Sequence, residues 1–173
     1  MRMFIISLLG IGLVACGGGG GENNDVIADG APSAEEALNA STSDLEEVAL
    51  LLAGTYQSTN TVTSNSCSNS DSGAGDVEVE TISLSQQDDN LVLTIESSAA
   101  TFKGKANENQ FTLVRETSFN LGNCSFEQRI VISGTKLENG SLEGSSNSSQ
   151  TVEGNCGSQE NCETGETFQA DPI

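Results

Sequence analysis

Leu91-Val92-Leu93-Thr94-Ile95 is the stretch that decides the fold. Successive side chains of an extended chain point to opposite faces, so Leu91, Leu93 and Ile95 form an inward set, as do Ile130 and Ile132 further on. Gln87-Asp88-Asp89-Asn90 stands just before this run, and Ala106-Asn107-Glu108-Asn109 and Glu138-Asn139-Gly140 follow at intervals. Asn, Asp and Gly tolerate left-handed backbone, so each of these is a turn between strands. Working outward in both directions gives strands over 55–63, 77–85, 91–97, 101–105, 110–119, 125–133, 141–152 and 166–170. In the second of these the inward set changes from Val77 and Val79 to Ile82 and Leu84, a parity change that predicts a bulge. Glu78 and Glu80 then fall on the solvent face. About eight short strands with no helix between them make a mainly β chain, a single antiparallel meander closed as a barrel in preference to a sandwich.

A short helical segment precedes the meander. Ser33 stands three residues before Glu36, and Ser43 three before Glu46, the spacing of a capping box. The second box opens Asp44-Leu45-Glu46-Glu47-Val48-Ala49-Leu50-Leu51-Leu52-Ala53, in which Leu45, Val48, Ala49 and Leu52 recur at helical spacing. Acidic residues in its first turn suit the helix dipole and Gly54 can end it. The expectation is a helix over 44–52 and a weaker helical turn over 34–40.

Numbering the strands locates the cysteines. In an up-and-down meander the connections after strands one, three, five and seven lie at one end. Cys67 follows strand one, Cys124 strand five, and Cys156 and Cys162 strand seven, so all four gather there, with the tight turns at the other end. Closure of the sheet favours Cys124–Cys156 with Cys67–Cys162; a local Cys156–Cys162 link with Cys67–Cys124 is the rival. A four-thiolate zinc site is the functional alternative, but no C-x₂-C pair is present and an exported chain meets oxidising conditions.

Export is read from the first sixteen residues. Arg2 precedes an apolar run over 3–15, which is too short to span a bilayer and fits a signal peptide. The run ends in Leu13-Val14-Ala15-Cys16, which closely resembles the bacterial lipobox. The resemblance implies a signal peptide over 1–15 that is removed, a diacylglycerol thioether on Cys16, and an amine there that also takes a fatty acyl chain such as palmitate. Several chains hold a protein where one gives marginal binding, each buried methylene adding about 0.8 kcal/mol. Glycine at position 17, where an aspartate would resemble an inner-membrane retention signal, implies transit to the outer membrane, on its periplasmic face or at the cell surface. Gly17 to Gly21 begin a flexible tether, so that the lipidated cysteine and tether take 16–32 and the helical and β segment 33–173. A coil from Gly17 to Ala31 spans roughly 20 Å on average.

Composition removes whole classes of activity. Arg2 leaves with the leader, so five Lys and Arg face 25 Asp and Glu, a net charge of −20. That field repels phosphate backbones, so nucleic acid is not an expected partner. The chain has no histidine and no tryptophan. Ser-His-Asp and Cys-His catalysis and histidine-ligated zinc or haem are therefore excluded. No cofactor or metal is expected.

Gly54-Thr55-Tyr56, directly after the helix and opening the first strand, resembles the Gly-X-Trp start of lipocalin-type barrels, with tyrosine in place of tryptophan and Arg129 as the candidate partner arginine. That resemblance implies an interior able to take a small apolar ligand, against a barrel filled by its own Val, Ile, Leu and Phe. The whole layout is also similar to small exported lipoproteins built of lipobox, glycine tether and cystine-bearing β domain. Asp71-Ser72-Gly73-Ala74-Gly75-Asp76 has some likeness to a calcium loop but lacks the twelve-residue spacing and reads as a solvated turn. Lys103, Lys105 and Lys136 could in principle serve a Ser-Lys dyad, but no S-x-x-K motif accompanies them, and Lys103 and Lys105 read as surface charges. The expectation is a non-catalytic envelope module, structural or interacting with another envelope protein, joined to the membrane through its acyl chains. A carrier of a small apolar ligand is the alternative and a histidine-free enzyme comes third.

Overall fold

The computed structural model describes residues 27–67, 72–95, 98–154, 156 and 160–173. The leader, Cys16 and the glycines of the tether lie outside them. Two helices, α1 (Ala34–Leu38) and α2 (Thr42–Leu52), lead into eight strands: β1 (Gly54–Asn65), β2 (Val77–Gln87), β3 (Asn90–Ile95), β4 (Ser98–Asn107), β5 (Gln110–Leu121), β6 (Cys124–Lys136), β7 (Leu142–Gly154) and β8 (Cys162–Pro172). Every strand is antiparallel to the next, and β1 pairs with β8 from Tyr56↔Pro172 onward, so the meander closes as a barrel.

Both helices start on capping boxes. Ser33 caps α1 with Glu36 as partner; α2 is capped by Ser41 with Asp44, two residues ahead of the Ser43–Glu46 box, and Ser43 lies inside the helix. The earlier box wins because Asp44 reaches both the backbone N–H and the hydroxyl of Ser41, at 2.8 and 2.6 Å. The buried face of α2 is Leu45, Val48, Ala49 and Leu52, as the helical spacing requires.

That face enters one end of the barrel. Leu45, Val48 and Leu52 pack with Tyr56, Leu84, Leu91, Leu93, Phe102, Phe111 and Leu142 in one core, each of them 5% exposed or less. Gly104 makes room for it, since a Cβ there would stand 2.8 Å from Leu113 and 3.4 Å from Val48. At this end lie the two-residue turns at Asp88 and Glu108, which both take positive φ, and the Glu138–Gly140 turn. Thr42 Oγ1 donates to Asp89 and Lys136 Nζ to the Leu51 carbonyl, pinning α2 to the rim, while Lys103 Nζ donates to the Asp89 carbonyl within it. α1 packs instead on the outer wall, where Ala34 and Ala37 meet Val114 and Val131.

The chain over 27–32, read above as the end of the tether, is bonded to that wall. The Ala28 N–H donates to Ser133, Asn107 to the Gly30 carbonyl, Gln110 to the Asp29 carbonyl and Thr112 to the Pro32 carbonyl. Any spacer is therefore confined to residues before Ile27.

Candidate functional site: a polar chamber in the barrel

The bulge expected in β2 is absent. β2 pairs with β1 in unbroken register from Gly54↔Leu84 to Thr61↔Val77, and the barrel's register irregularity falls instead between Val62 and Ser64 of β1. Ile82 and Leu84 are core residues, and a period of two then carries Glu80 and Glu78 to the same inward face. Val77 and Val79 point outward, 60% and 58% exposed, while Glu80 is 6% exposed. Both glutamates were expected on the solvent face; strand register overrides the preference of valine for the interior.

The same passage from apolar to polar occurs on neighbouring strands, counted along the inward face away from α2. On β1 Tyr56 gives way to Ser58 and Asn60, and on β8 Ala170 and Phe168 give way to Glu166 and Thr164. On β7 Leu142 is followed by Gly144, Ser146 and Ser148. Arg115 follows Phe111 and Leu113 on β5, opposite the core residue Ile130. Ser58, Asn60, Glu80, Ser146 and Glu166 are all 6% exposed or less. The inward face is thus apolar at the helix end and carries hydrogen-bonding groups beyond it on β1, β2, β7 and β8, while β6 keeps Ile130 and Phe126.

Local geometry orders one wall of this chamber. Ser58 Oγ donates to Asn60 Oδ1 at 2.8 Å, and Asn60 Nδ2 donates to Glu80 Oε1 at 2.8 Å. Asn60 is diagonal to Glu80 across the β1–β2 pair and to Glu166 across the β1–β8 pair, so the amide stands between the two carboxylates. Ser146 faces Glu166 directly across the β7–β8 pair.

The chamber lies toward the cystines. Cys67 is bonded to Cys162 and Cys124 to Cys156, with Cα separations of 5.1 and 5.3 Å, the first of the two pairings set out above. Phe119 and Phe126 stack at this rim, centroids 4.8 Å apart. The wall is notched on one side. β3 and β4 are short here, so 77–81 of β2 pair only with β1 and 115–121 of β5 only with β6 among the described residues.

Other expected participants are employed elsewhere. Arg129 lies on the outer wall, its guanidinium 2.8 Å from Glu116 and 3.2 Å from Glu35, away from Tyr56. The Tyr56 hydroxyl donates to the Leu52 carbonyl at 2.9 Å, and burial pushes its phenol up in pKa. Lys105 stands 3.9 Å from Asp44. The Asp76 carboxylate accepts from the Gly73 N–H at 2.7 Å, closing a turn; Asp71 lies outside the described residues. No group of three acidic or cysteine side chains among the described residues could hold a metal ion. No described helix is long and apolar enough to cross a membrane.

Sequence reasoning missed the chamber because serine, asparagine and glutamate at alternate positions read as a solvent face. The available signal was that Glu80 keeps step with Ile82 and Leu84, and Glu166 with Phe168 and Ala170. Set against known proteins, the chain matches no family model, no curated protein and no solved structure.

Proposed function

We propose that this chain is a non-catalytic binding module of the bacterial envelope, held on the outer membrane by acyl chains on Cys16 and working through the polar chamber of its barrel. The observation that carries the reading is the burial of Ser58, Asn60, Glu80, Ser146 and Glu166 inside a barrel whose helix end holds the apolar core. Burying carboxylates and hydroxyls costs stability unless they are satisfied, and two alternating leucines would fill the same space at a gain. The signal-peptide and lipobox residues support the anchoring half of the proposal.

The carrier of a small apolar ligand is the second reading, supported by the closed barrel with an apolar half. Leu45, Val48 and Leu52 of α2 occupy the place such a ligand would take. A fluorescent fatty-acid probe is therefore expected to bind no better to the protein than to a denatured control, and saturable micromolar binding would restore the carrier.

Native mass spectrometry of the full chain taken from bacterial membranes tests both halves of the main proposal. The expected spectrum has residues 1–15 missing, lipid mass on Cys16 and a small adduct that leaves on unfolding. An intact leader without lipid would end the anchoring half. A protein that never carries an adduct and is stabilised by no small polar molecule would end the binding half.

A further inference from the structure

We propose that the opening in the barrel wall between β4 and β5 takes up a strand from a partner protein, an extended segment with basic residues on one face and apolar residues on the other, added antiparallel to β5. This surface is separate from the polar chamber and does not depend on what the chamber holds. β4 and β5 pair only from Lys103↔Val114 to Asn107↔Gln110. Beyond that point 98–102 of β4 pair with β3 alone, and 115–121 of β5 with β6 alone, among the described residues. Had the β4–β5 register continued, Thr101 would stand opposite Glu116 and Ala99 opposite Ser118. The two strands diverge instead.

The backbone groups left over at this edge can be named. The Asn109 carbonyl accepts from the Lys136 N–H, and successive residues of an antiparallel strand turn their N–H and C=O to opposite sides. The N–H and C=O of Glu116, Ser118 and Asn120 therefore point away from β6 and into the opening, where no described backbone group bonds to them. All three residues are exposed. A row of unpaired backbone groups on a strand edge is a template for a further strand. A guest of about five to seven residues covers it, at roughly 3.4 Å per residue.

The side chains on the two faces of the edge state what the guest carries. Phe119 and Leu121 share the inward face with Phe126, on which Phe119 stacks with centroids 4.8 Å apart. They keep 38% and 63% of their surface exposed, because no strand covers that side of β5. The guest residues that cover them are apolar. On the outward face Glu116 lies on β5, Glu127 stands opposite Ser118 on β6, and Glu35 reaches in from α1. Arg129 there is shared between Glu35 and Glu116, so acid outnumbers base, and Arg115 lies on the inward face away from this row. Opposite charges on adjacent strands attract, so the outward residues of the guest are basic. A second copy of this chain is a poorer guest, since each full chain carries a net charge of −19 and the two repel.

The test is fluorescence anisotropy of the full chain in detergent with a labelled peptide of alternating lysine and valine, seven residues long and flanked by threonines. One control replaces lysine by glutamate, a second groups the lysines and valines in two blocks, and a third carries N-methyl groups on alternate amides. The alternating cationic peptide is expected to bind about ten-fold or more tightly than every control. Ser118→Pro removes one free N–H from the edge and leaves the β5–β6 hydrogen bonds in place, a position where proline is tolerated. It should weaken binding about ten-fold. Leu121→Ser, which trims an exposed apolar contact, should weaken it less and serves where Ser118→Pro does not fold, folding being read from the thermal transition. Equal binding of any control peptide, no binding at millimolar concentration, or binding that neither variant alters would overturn the inference. Sedimentation of the protein alone is expected to show no self-association at the edge; a dimer that Ser118→Pro abolishes would give the edge to a second copy and overturn the basic partner.

Discussion

Ser33 and Ser41 show how single residues fix where the chain enters the barrel. Each hydroxyl accepts from the backbone three residues on, and the carboxylate of that third residue reaches back to the serine. The backbone N–H of Ser33, followed by its hydroxyl, lowers the pKa of Glu36 from its ordinary 4.5. The Ser41 hydroxyl, followed by its N–H, lowers Asp44 from 3.8. A carboxyl whose pKa falls on folding contributes stability above its unfolded value and loses that contribution as pH drops through the folded one. The caps should therefore weaken as pH falls below about 4.5 for α1 and below about 3.8 for α2. Carbon-detected NMR titration of the two side chains checks this. Ser33→Ala should raise the Glu36 midpoint only part way, because the backbone donor remains; an unmoved midpoint would remove the hydroxyl from the account.

At the scale of elements, α2 is as much a part of the barrel core as any strand. An eleven-residue helix alone in water is marginal, so its stability comes from the face it buries. Leu45 is fully buried and Leu50 is 86% exposed, on the same helix. Leu45→Ala should cost about 2–5 kcal/mol in urea denaturation. Leu50→Ala should stay within about 0.5 kcal/mol. Similar losses for both would mean that α2 is not seated in the barrel. β2 teaches the complementary lesson. Its composition allows either parity, and what selects one is the two-residue turn into β3, which locks Gln87 opposite Asn90 and so Ile82 opposite Ile95.

The whole molecule is a closed sheet whose seam is covalently held. Cys67–Cys162 joins β8 to the chain just beyond β1, across 95 residues, and Cys124–Cys156 joins the start of β6 to the chain beyond β7, across 32. Chain entropy lost from the unfolded state grows with loop length, giving about 4–5 kcal/mol for the first bridge and about 3–4 kcal/mol for the second. The Cys67→Ser/Cys162→Ser double variant should accordingly be less stable to urea than Cys124→Ser/Cys156→Ser. The reverse order would indicate that the seam is held by its backbone pairing and does not depend on the cystine. Both bridges lie at the end where the sheet is notched, so they hold the strands that wall the chamber.

Much of this was legible from residues alone. Alternation in Leu91 to Ile95 and the turn chemistry of Asp88, Asn109 and Gly140 determine eight antiparallel strands, because strand period and turn conformation are local properties. The helical spacing of Leu45, Val48 and Leu52 determines a buried helix face for the same reason. Which core that face joins, which way β2 presents its glutamates, and that Arg129 lies outside the barrel while Arg115 faces its interior were decided only by the closed sheet. Alternation says that two faces exist; only closure, by fixing every strand's register against its neighbours, says which face is the inside. The polar chamber is a product of that closure, and no window of sequence contains it.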